Sequence, residues 1–245
     1  MSITGPEGGP PVKVGQAIGD IGAGLYATIA ILAALYERDR SGRGQKVSTD
    51  LFGTITSFLD EYITMYGMTG ENPEPRGTRH QSGVPYELVE TRDGHLVVSA
   101  FGGGWETFAR EIVEDESVAS YTTNEARRHH YDEIMAVIRP TFREKSTDEW
   151  IEKLEEHGFP CGPLNTVGDV VEHPQARARE YVYAYTDEEV GQVLLPGYPI
   201  AFSASKRPDD EGIPQLGQHT EDVLAEQLGY SSSSIAELRE SEVIG

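Results

Sequence analysis

The chain has 245 residues and is 38% hydrophobic, enough for the core of one large domain or two modest ones; its 41 Asp and Glu against 20 Lys and Arg leave a net charge of −21 at pH 7. Such a surface repels nucleic acid and anionic lipid, so neither nucleic acid nor a membrane is expected as a partner. One cysteine, Cys161, excludes an internal disulfide and leaves nothing to argue for an oxidising compartment, so a cytoplasmic protein is expected.

Lysine is confined to positions 13, 46, 145, 153 and 206, while the acidic residues are dispersed along the whole chain. That pattern suits a halophilic protein, because at 1 M salt the screening length falls to roughly 3 Å and self-repulsion becomes tolerable. Stability that rises as salt is removed would overturn this expectation. Residues 1–20 carry no basic, apolar, small-residue leader pattern, and the apolar run Ile21 to Tyr36, interrupted by Gly and Thr, reads as too short for a membrane span.

The opening MSITGPEGGPPVKVG is turn chemistry, dense in Gly and Pro, and reads as a loop entered from something earlier. Leu25, Ile29, Leu32 and Tyr36 then recur at helical spacing and predict a helix from Ile21, filled out by Ala30, Ala33 and Ala34 and ending in the charged ERDR and SGRG. QKVSTDLF predicts a short strand or a strand-to-helix passage, with Ser48, Thr49 or Asp50 capping a helix that runs to about Met68. After the proline-rich ENPEPRG, the stretch VPYELVETRDGHLVVSAF predicts a hairpin turning at Asp93-Gly94, a dipeptide that tolerates positive φ. Helices are predicted in WETFAREIV, in EARRHHYDEIMAVIRPTF and in STDEWIEKLEEHG, the last opened by a Ser146 to Glu149 capping box and closed by Gly158. The remainder predicts a loop through FPCGPLN, one or two short strands, and two terminal helices, the SSSS of 231–234 leading into the second.

Asp20 raises the chemical question. An aspartate at the mouth of a helix is a favoured N-cap. The same position suits a nucleophile, since Gly19, Gly22 and Gly24 leave the backbone open to a bulky ligand and the helix N-terminus favours an ionised carboxylate. Other candidates carry bland alternatives. Cys161 in PCGP reads as a structural thiol, His129-His130 with Glu133 as a solvated surface because neighbouring histidines point to different helix faces, and Phe101-Gly102-Gly103-Gly104-Trp105 as a turn lacking the Lys and Ser/Thr of a phosphate loop. Among Lys13, Arg38, Arg40, Arg43, Lys46, Arg76 and Arg79, the three central arginines suit a helix C-terminus, and one of the group could meet a phosphate.

The run PPVKVGQAIGDIGAGLYATIAILAALYERDRSGRGQKVSTDLF resembles the catalytic segment of the class III coenzyme A transferases, the family of formyl-CoA, carnitine-CoA and bile-acid-CoA transferases and 2-methylacyl-CoA racemases. The resembling features are the glycine-flanked Asp20, the small-residue helix, Ala34-Leu35 and the turn Gly42-Arg43-Gly44-Gln45; RGTRHQSGVPYELVETRDGHLVVSA, GFPCGPLNTVGDVVEHPQARAREY and GQHTEDVLAEQLGYSSSSIAEL continue the likeness in order. The resemblance implies an α/β fold: part of a doubly wound, Rossmann-like large domain at 1–78, a smaller α+β domain at 79–165, and a segment at 166–245 returning to the large domain. It implies Asp20 as the covalent nucleophile, Gly19 and Gly22 beside the coenzyme A thioester, an acyl-CoA and a carboxylic acid as substrates, no permanently bound cofactor, no metal, and an interlocked homodimer. His80-Gln81-Ser82-Gly83 stands where the formyl-CoA branch has a glycine-rich loop, which disfavours exchange between formate and oxalate. The family's upstream half has no counterpart here, so a truncated gene, a split enzyme with a separate N-terminal subunit, or a late start codon is expected. The racemase activity and a non-catalytic fragment remain as alternatives.

Overall fold

In a computed structural model, which describes residues 1–100, 104–187, 190–205 and 214–244, the first helix, α1, spans Ile18–Ser41. It is 24 residues long, begins three residues before the expected Ile21, and ends in the charged stretch as expected. Gly42 ends it in the left-handed conformation (φ 71°), its N–H donating to the Arg38 carbonyl at 2.8 Å. By length and composition α1 as a whole is long and apolar enough to cross a membrane, which corrects the reading of the run Ile21 to Tyr36 as too short.

No strand forms over 42–50. Of the three capping candidates Asp50 is used, its carboxylate accepting the Gly53 N–H at 2.7 Å to open α2 (Leu51–Ser57). The helix expected to reach Met68 is broken at Phe58 and Leu59, with Asp60 at φ 31°, and resumes as α3 (Asp60–Thr69). α2 packs on α1 at Gly19, Gly22 and Tyr26. A Cβ at Gly22 would meet Phe58 Cζ and Thr54 Cγ2 at 2.7 Å, and Tyr26 Oη and Ser57 Oγ share a hydrogen bond of 2.9 Å.

The hairpin forms as expected: β1 (Tyr86–Glu90) and β2 (His95–Ser99) pair antiparallel with Leu88 opposite Val97. Its turn works differently from the expected left-handed glycine. Gly94 does not adopt positive φ; a Cβ there would stand 3.2 Å from Thr147 Oγ1, a tight contact. Asp93 accepts the Thr147 N–H at 2.8 Å and so ties the turn to the start of α8 (Thr147–Glu156). The Ser146/Glu149 capping box of α8 and Gly158 at φ 75° stand as the sequence predicts. Cys161–Pro163, expected as loop, adds a third strand, β3, with Cys161 opposite Val98.

Between hairpin and α8 the expected long helices are subdivided. Trp105–Thr107 (α4) runs on as a π-helix over Phe108–Val113, closed by Glu114 at φ 61°. α5 (Glu116–Ala119) follows, and the next helix breaks at His130 into α6 (Asn124–His129) and α7 (Tyr131–Phe142). These elements bury one core against the sheet: Val89, Leu96 and Val98 meet Phe108, Ile134, Ile138, Phe142, Trp150 and Leu154. Trp150 stacks on Phe142 at 4.4 Å between centroids, and its indole N–H donates to the Phe142 carbonyl at 2.7 Å, so a large aromatic is buried with its polar atom satisfied.

The chain divides into two compact units, Met1–Leu164 and Asn165–Gly245. The second unit holds α9 (Val167–Glu172), opened by a Thr166/Asp169 capping box, and α10 (Pro174–Ala178) with proline in its first turn. The hairpin of β4 (Val182–Asp187) and β5 (Gly191–Pro196) follows, with Ala184 opposite Leu194. α11 (Thr220–Asp222) continues as a π-helix over Val223–Gln227, and α12 (Ser232–Glu240) is capped by Ser231, which accepts the Ser234 N–H at 3.2 Å. The architecture is thus mixed helix and strand; among the described residues both sheets are antiparallel.

Candidate active site

Asp20 is the third residue of α1 and not its cap. The helix begins at Ile18, the N-cap position is Ala17, and no side chain accepts from the first turn. The N-cap role therefore falls away; Asp20 stands at the third helical position, where Glu149 of α8 and Asp169 of α9 reach back to the N-cap N–H, and it makes no such bond. Asp20 is exposed, and among the described residues it makes no hydrogen bond or ion pair. Both its oxygens are unspent, and they stand in the positive end of a 24-residue helix dipole.

The glycines around it divide into two kinds. Gly19 and Gly22 serve the packing of α1 on α2: a Cβ at Gly19 would touch Ile55 Cγ1 at 3.3 Å, and Gly22 is buried against Phe58 and Thr54. The backbone open to a ligand is instead at Gly15 and Gly24, where a Cβ would meet nothing within 4 Å. Beside this helix pair runs a groove of about 450 Å³ lined by Tyr26, Ile29, Ala30, Asp50, Gly53 and Ser57; Asp20 is not in its wall.

The basic residues do not converge on one place. Arg38 and Arg40 occupy the last turn of α1, about 27 Å along the axis from Asp20 at 1.5 Å per residue, where they oppose the negative end of the dipole as expected. Arg79 donates to Glu7 at 2.7 Å and lies 4.1 Å over the Tyr131 ring, so it joins the opening loop to α7. His80 stacks on Tyr86 at 4.5 Å, and its Nδ1 accepts the Ser82 N–H at 3.2 Å.

Cys161 is half-buried in β3, and burial followed by the charge of Glu155 pushes its thiol up, the opposite of what a nucleophilic thiolate needs. His130 pairs with Glu133 at 3.1 Å and holds that carboxyl below the usual range; no group of ligands suited to a metal ion occurs among the described residues. Phe101, Gly102 and Gly103 of the phosphate-loop candidate, and Lys206, lie outside the described residues.

Sequence reasoning missed one polar cluster. Glu87 is buried on the inward face of β1 beside Val89, where it accepts from the Tyr131 hydroxyl at 2.7 Å and from Arg139 at 3.1 Å. Burial, then the hydrogen bond to Glu87, raises the Tyr131 phenol. The one signal for it in the sequence is a Glu at an inward position of an alternating strand, which demands a buried partner.

The family model for CoA-transferase family III matches residues 1–220. Human succinyl-CoA:glutarate CoA-transferase is 33% identical over 249 residues, covering 100% of this chain and 56% of the human protein. Succinyl-CoA:mesaconate CoA-transferase of Haloarcula hispanica is 29% identical, covering 92% of this chain and 57% of that protein. The crystal structure of a CAIB/BAIF family protein from Brucella suis superposes with a TM-score of 0.75 at 30% identity, over 92% of this chain and 59% of its own. The chain thus spans somewhat over half the length of the relatives it matches. It belongs to CoA-transferase family III.

Proposed function

We propose that the enzyme built from this chain moves coenzyme A from an acyl-CoA donor to a dicarboxylic acid, with Asp20 as covalent nucleophile. The observation that carries the reading is the state of Asp20: in the first turn of a long helix it is exposed and, among the described residues, makes no cap, hydrogen bond or ion pair. Family membership supports the transferase class, and the acceptors named in the two relatives, glutarate and mesaconate, support a dicarboxylate.

The chemistry closes as two reversible halves. An Asp20 oxygen attacks the thioester carbonyl of the donor, the C–S bond breaks, and coenzyme A leaves as thiolate with a mixed anhydride on Asp20. The thiolate attacks the Asp20 carbonyl of that anhydride, releasing the donor's carboxylate and leaving an aspartyl-CoA thioester. The acceptor carboxylate then displaces the thiolate to give a second anhydride, and the thiolate attacks the acceptor's carbonyl, freeing Asp20. Covalent catalysis of this kind splits one exchange into nearly isoenergetic steps and conserves the thioester. The dipole of α1 opposes loss of the carboxylate charge, so the anhydride is held as a high-energy species and not as a resting state. In the same reading residues 1–78 belong to a doubly wound large domain whose parallel strands are supplied by polypeptide beyond this chain, and 79–165 to the smaller domain.

The test is to incubate the protein with succinyl-CoA, trap with hydroxylamine, and map the product by mass spectrometry. A hydroxamate confined to Asp20, absent in Asp20→Asn, is expected. An unmodified Asp20 in a protein that binds coenzyme A and places solvent deuterium at the α-carbon of a 2-methylacyl-CoA would overturn the transferase reading in favour of an epimerase.

A further inference from the structure

Arg79 Nε, Gln81 Oε1 and Arg127 Nε, all in the first unit, are buried side-chain atoms without a hydrogen-bond partner. Buried polar atoms in this state cost stability until a ligand, an ion or water completes them. The three lie along one seam. Arg79 covers the Tyr131 ring at 4.1 Å, and the Asn124 amide donates to the Ser82 carbonyl. Asn124, Arg127 and Tyr131 follow one another at spacings of three and four along one side of α6 and α7. The segment 79–82 therefore runs along that side, and Gln81 and Arg127 are the middle members of the two facing rows.

Arg127 is half-buried with its guanidinium 4.7 Å over the Trp105 ring, and its Nη1 donates to the Tyr121 carbonyl at 3.0 Å. Among the described residues it makes no ion pair and no other hydrogen bond, in a chain with 41 acidic residues. Burial pulls its guanidinium below the ordinary arginine pKa. The carboxylates nearest the seam are already taken: Glu87 by Tyr131 and Arg139, and Glu7 by Arg79. What Arg127 leaves unspent is the edge formed by Nε and Nη2, whose parallel N–H groups match the two oxygens of a carboxylate. Gln81 adds a third donor when its amide turns over to present Nε2 in place of Oε1.

We infer that the Nε–Nη2 edge of Arg127, with Gln81 facing it, is a carboxylate-binding site, and that its ligand is a carboxylate of the dicarboxylic acid; the identity of the acid rests on the proposed transferase function, the site itself does not. Admission of the ligand lifts the segment 79–83 from α6, against the bond from Asn124 to Ser82 and the tie from Arg79 to the exposed Glu7.

In the test, glutarate is titrated into the full chain with no acyl-CoA present and followed by calorimetry and amide hydrogen exchange. No turnover is read, so failure here leaves the Asp20 hydroxamate experiment standing. Saturable binding at one site is expected, with exchange in 79–83 and 124–129 slowed by roughly tenfold. Arg127→Lys keeps the charge and loses the fork, and should weaken binding by roughly tenfold while the near-UV circular dichroism of the Trp150 core is unchanged. Gln81→Glu supplies the carboxylate from within the chain. It should raise the melting temperature by about 2 °C or more and abolish the response to glutarate, although it adds negative charge to an acidic protein. Four results overturn the inference: no saturable binding, equal protection of 79–83 by chloride at matched ionic strength, undiminished binding by Arg127→Lys, or a lower melting temperature for Gln81→Glu.

Discussion

Residues 12–70 and residues 84–164 lie in one unit and draw on the same apolar residue types, but only the second stretch has found partners for them. All eighteen residues of the buried cluster fall between Val84 and Phe159. In residues 12–70, Gly22 and Thr54 alone are buried in the three helices, and Leu25, Ile29, Leu32, Phe52 and Met68 face out. The difference lies in topology more than in composition. A hairpin returns its chain within a few residues and presents a whole face for helices to cover, whereas a single long helix can bury a stripe only against something brought to it from elsewhere. The proposed nucleophile lies in the thin region: Asp20 sits in the first turn of the helix whose apolar residues are exposed.

The sharpest way to break this comparison is one substitution made twice. Leu154→Ala, in the closed core at 0% exposure, should cost about 2–5 kcal/mol in urea unfolding. Leu32→Ala, at 61% exposure, should change stability by no more than about 0.5 kcal/mol in the same assay. Comparable losses at both sites would mean that α1 is already covered.

A smaller contrast lies within α1. Gly22→Ala pushes a methyl into Phe58 and Thr54 and should destabilise the α1–α2 pair by about 1–3 kcal/mol, seen as faster amide exchange in both helices. Gly24→Ala meets open space and should stabilise α1 by up to about 1 kcal/mol. If the two changed exchange alike, the packing of α2 on Gly22 would be wrong.

The smallest effect is in pH. Hydrogen bonds from Thr147 hold the Asp93 carboxyl below its ordinary range, and His130 does the same for Glu133. A carboxyl whose folded pKa is depressed stabilises the fold above its ordinary value near 4 and loses that contribution as pH falls through the folded pKa. The melting temperature of the 84–164 core should therefore decline below about pH 4. Asp93→Asn, which can still accept from Thr147 but cannot titrate, should flatten part of that decline; an unchanged profile would remove Asp93 from the account.

Much of the local structure was legible because its causes lie within a few residues. Ser146 and Glu149 satisfy each other's backbone, Gly158 supplies positive φ where a helix must end, and the alternation in VPYELVE and HLVVSA defines two strands. Asp20 stood out for the same reason, since the glycines and the aspartate at the start of a small-residue helix are adjacent in the chain. What those residues do was not legible. Gly22 and Gly19 read as space for a ligand and turn out to be space for α2; Gly94 reads as a positive-φ turn and is instead a point of contact with Thr147; Glu87 gives no hint of Tyr131 and Arg139, 44 and 52 residues away.

The sequence by itself determined the caps, the turns, the hairpin and the motif around Asp20, because each is settled by backbone groups that neighbours in the chain can reach. Only the tertiary structure decided which apolar faces close, which glycines are contacts, and that Asp20 is left free at its helix end, because burial depends on surfaces that meet from distant parts of the chain.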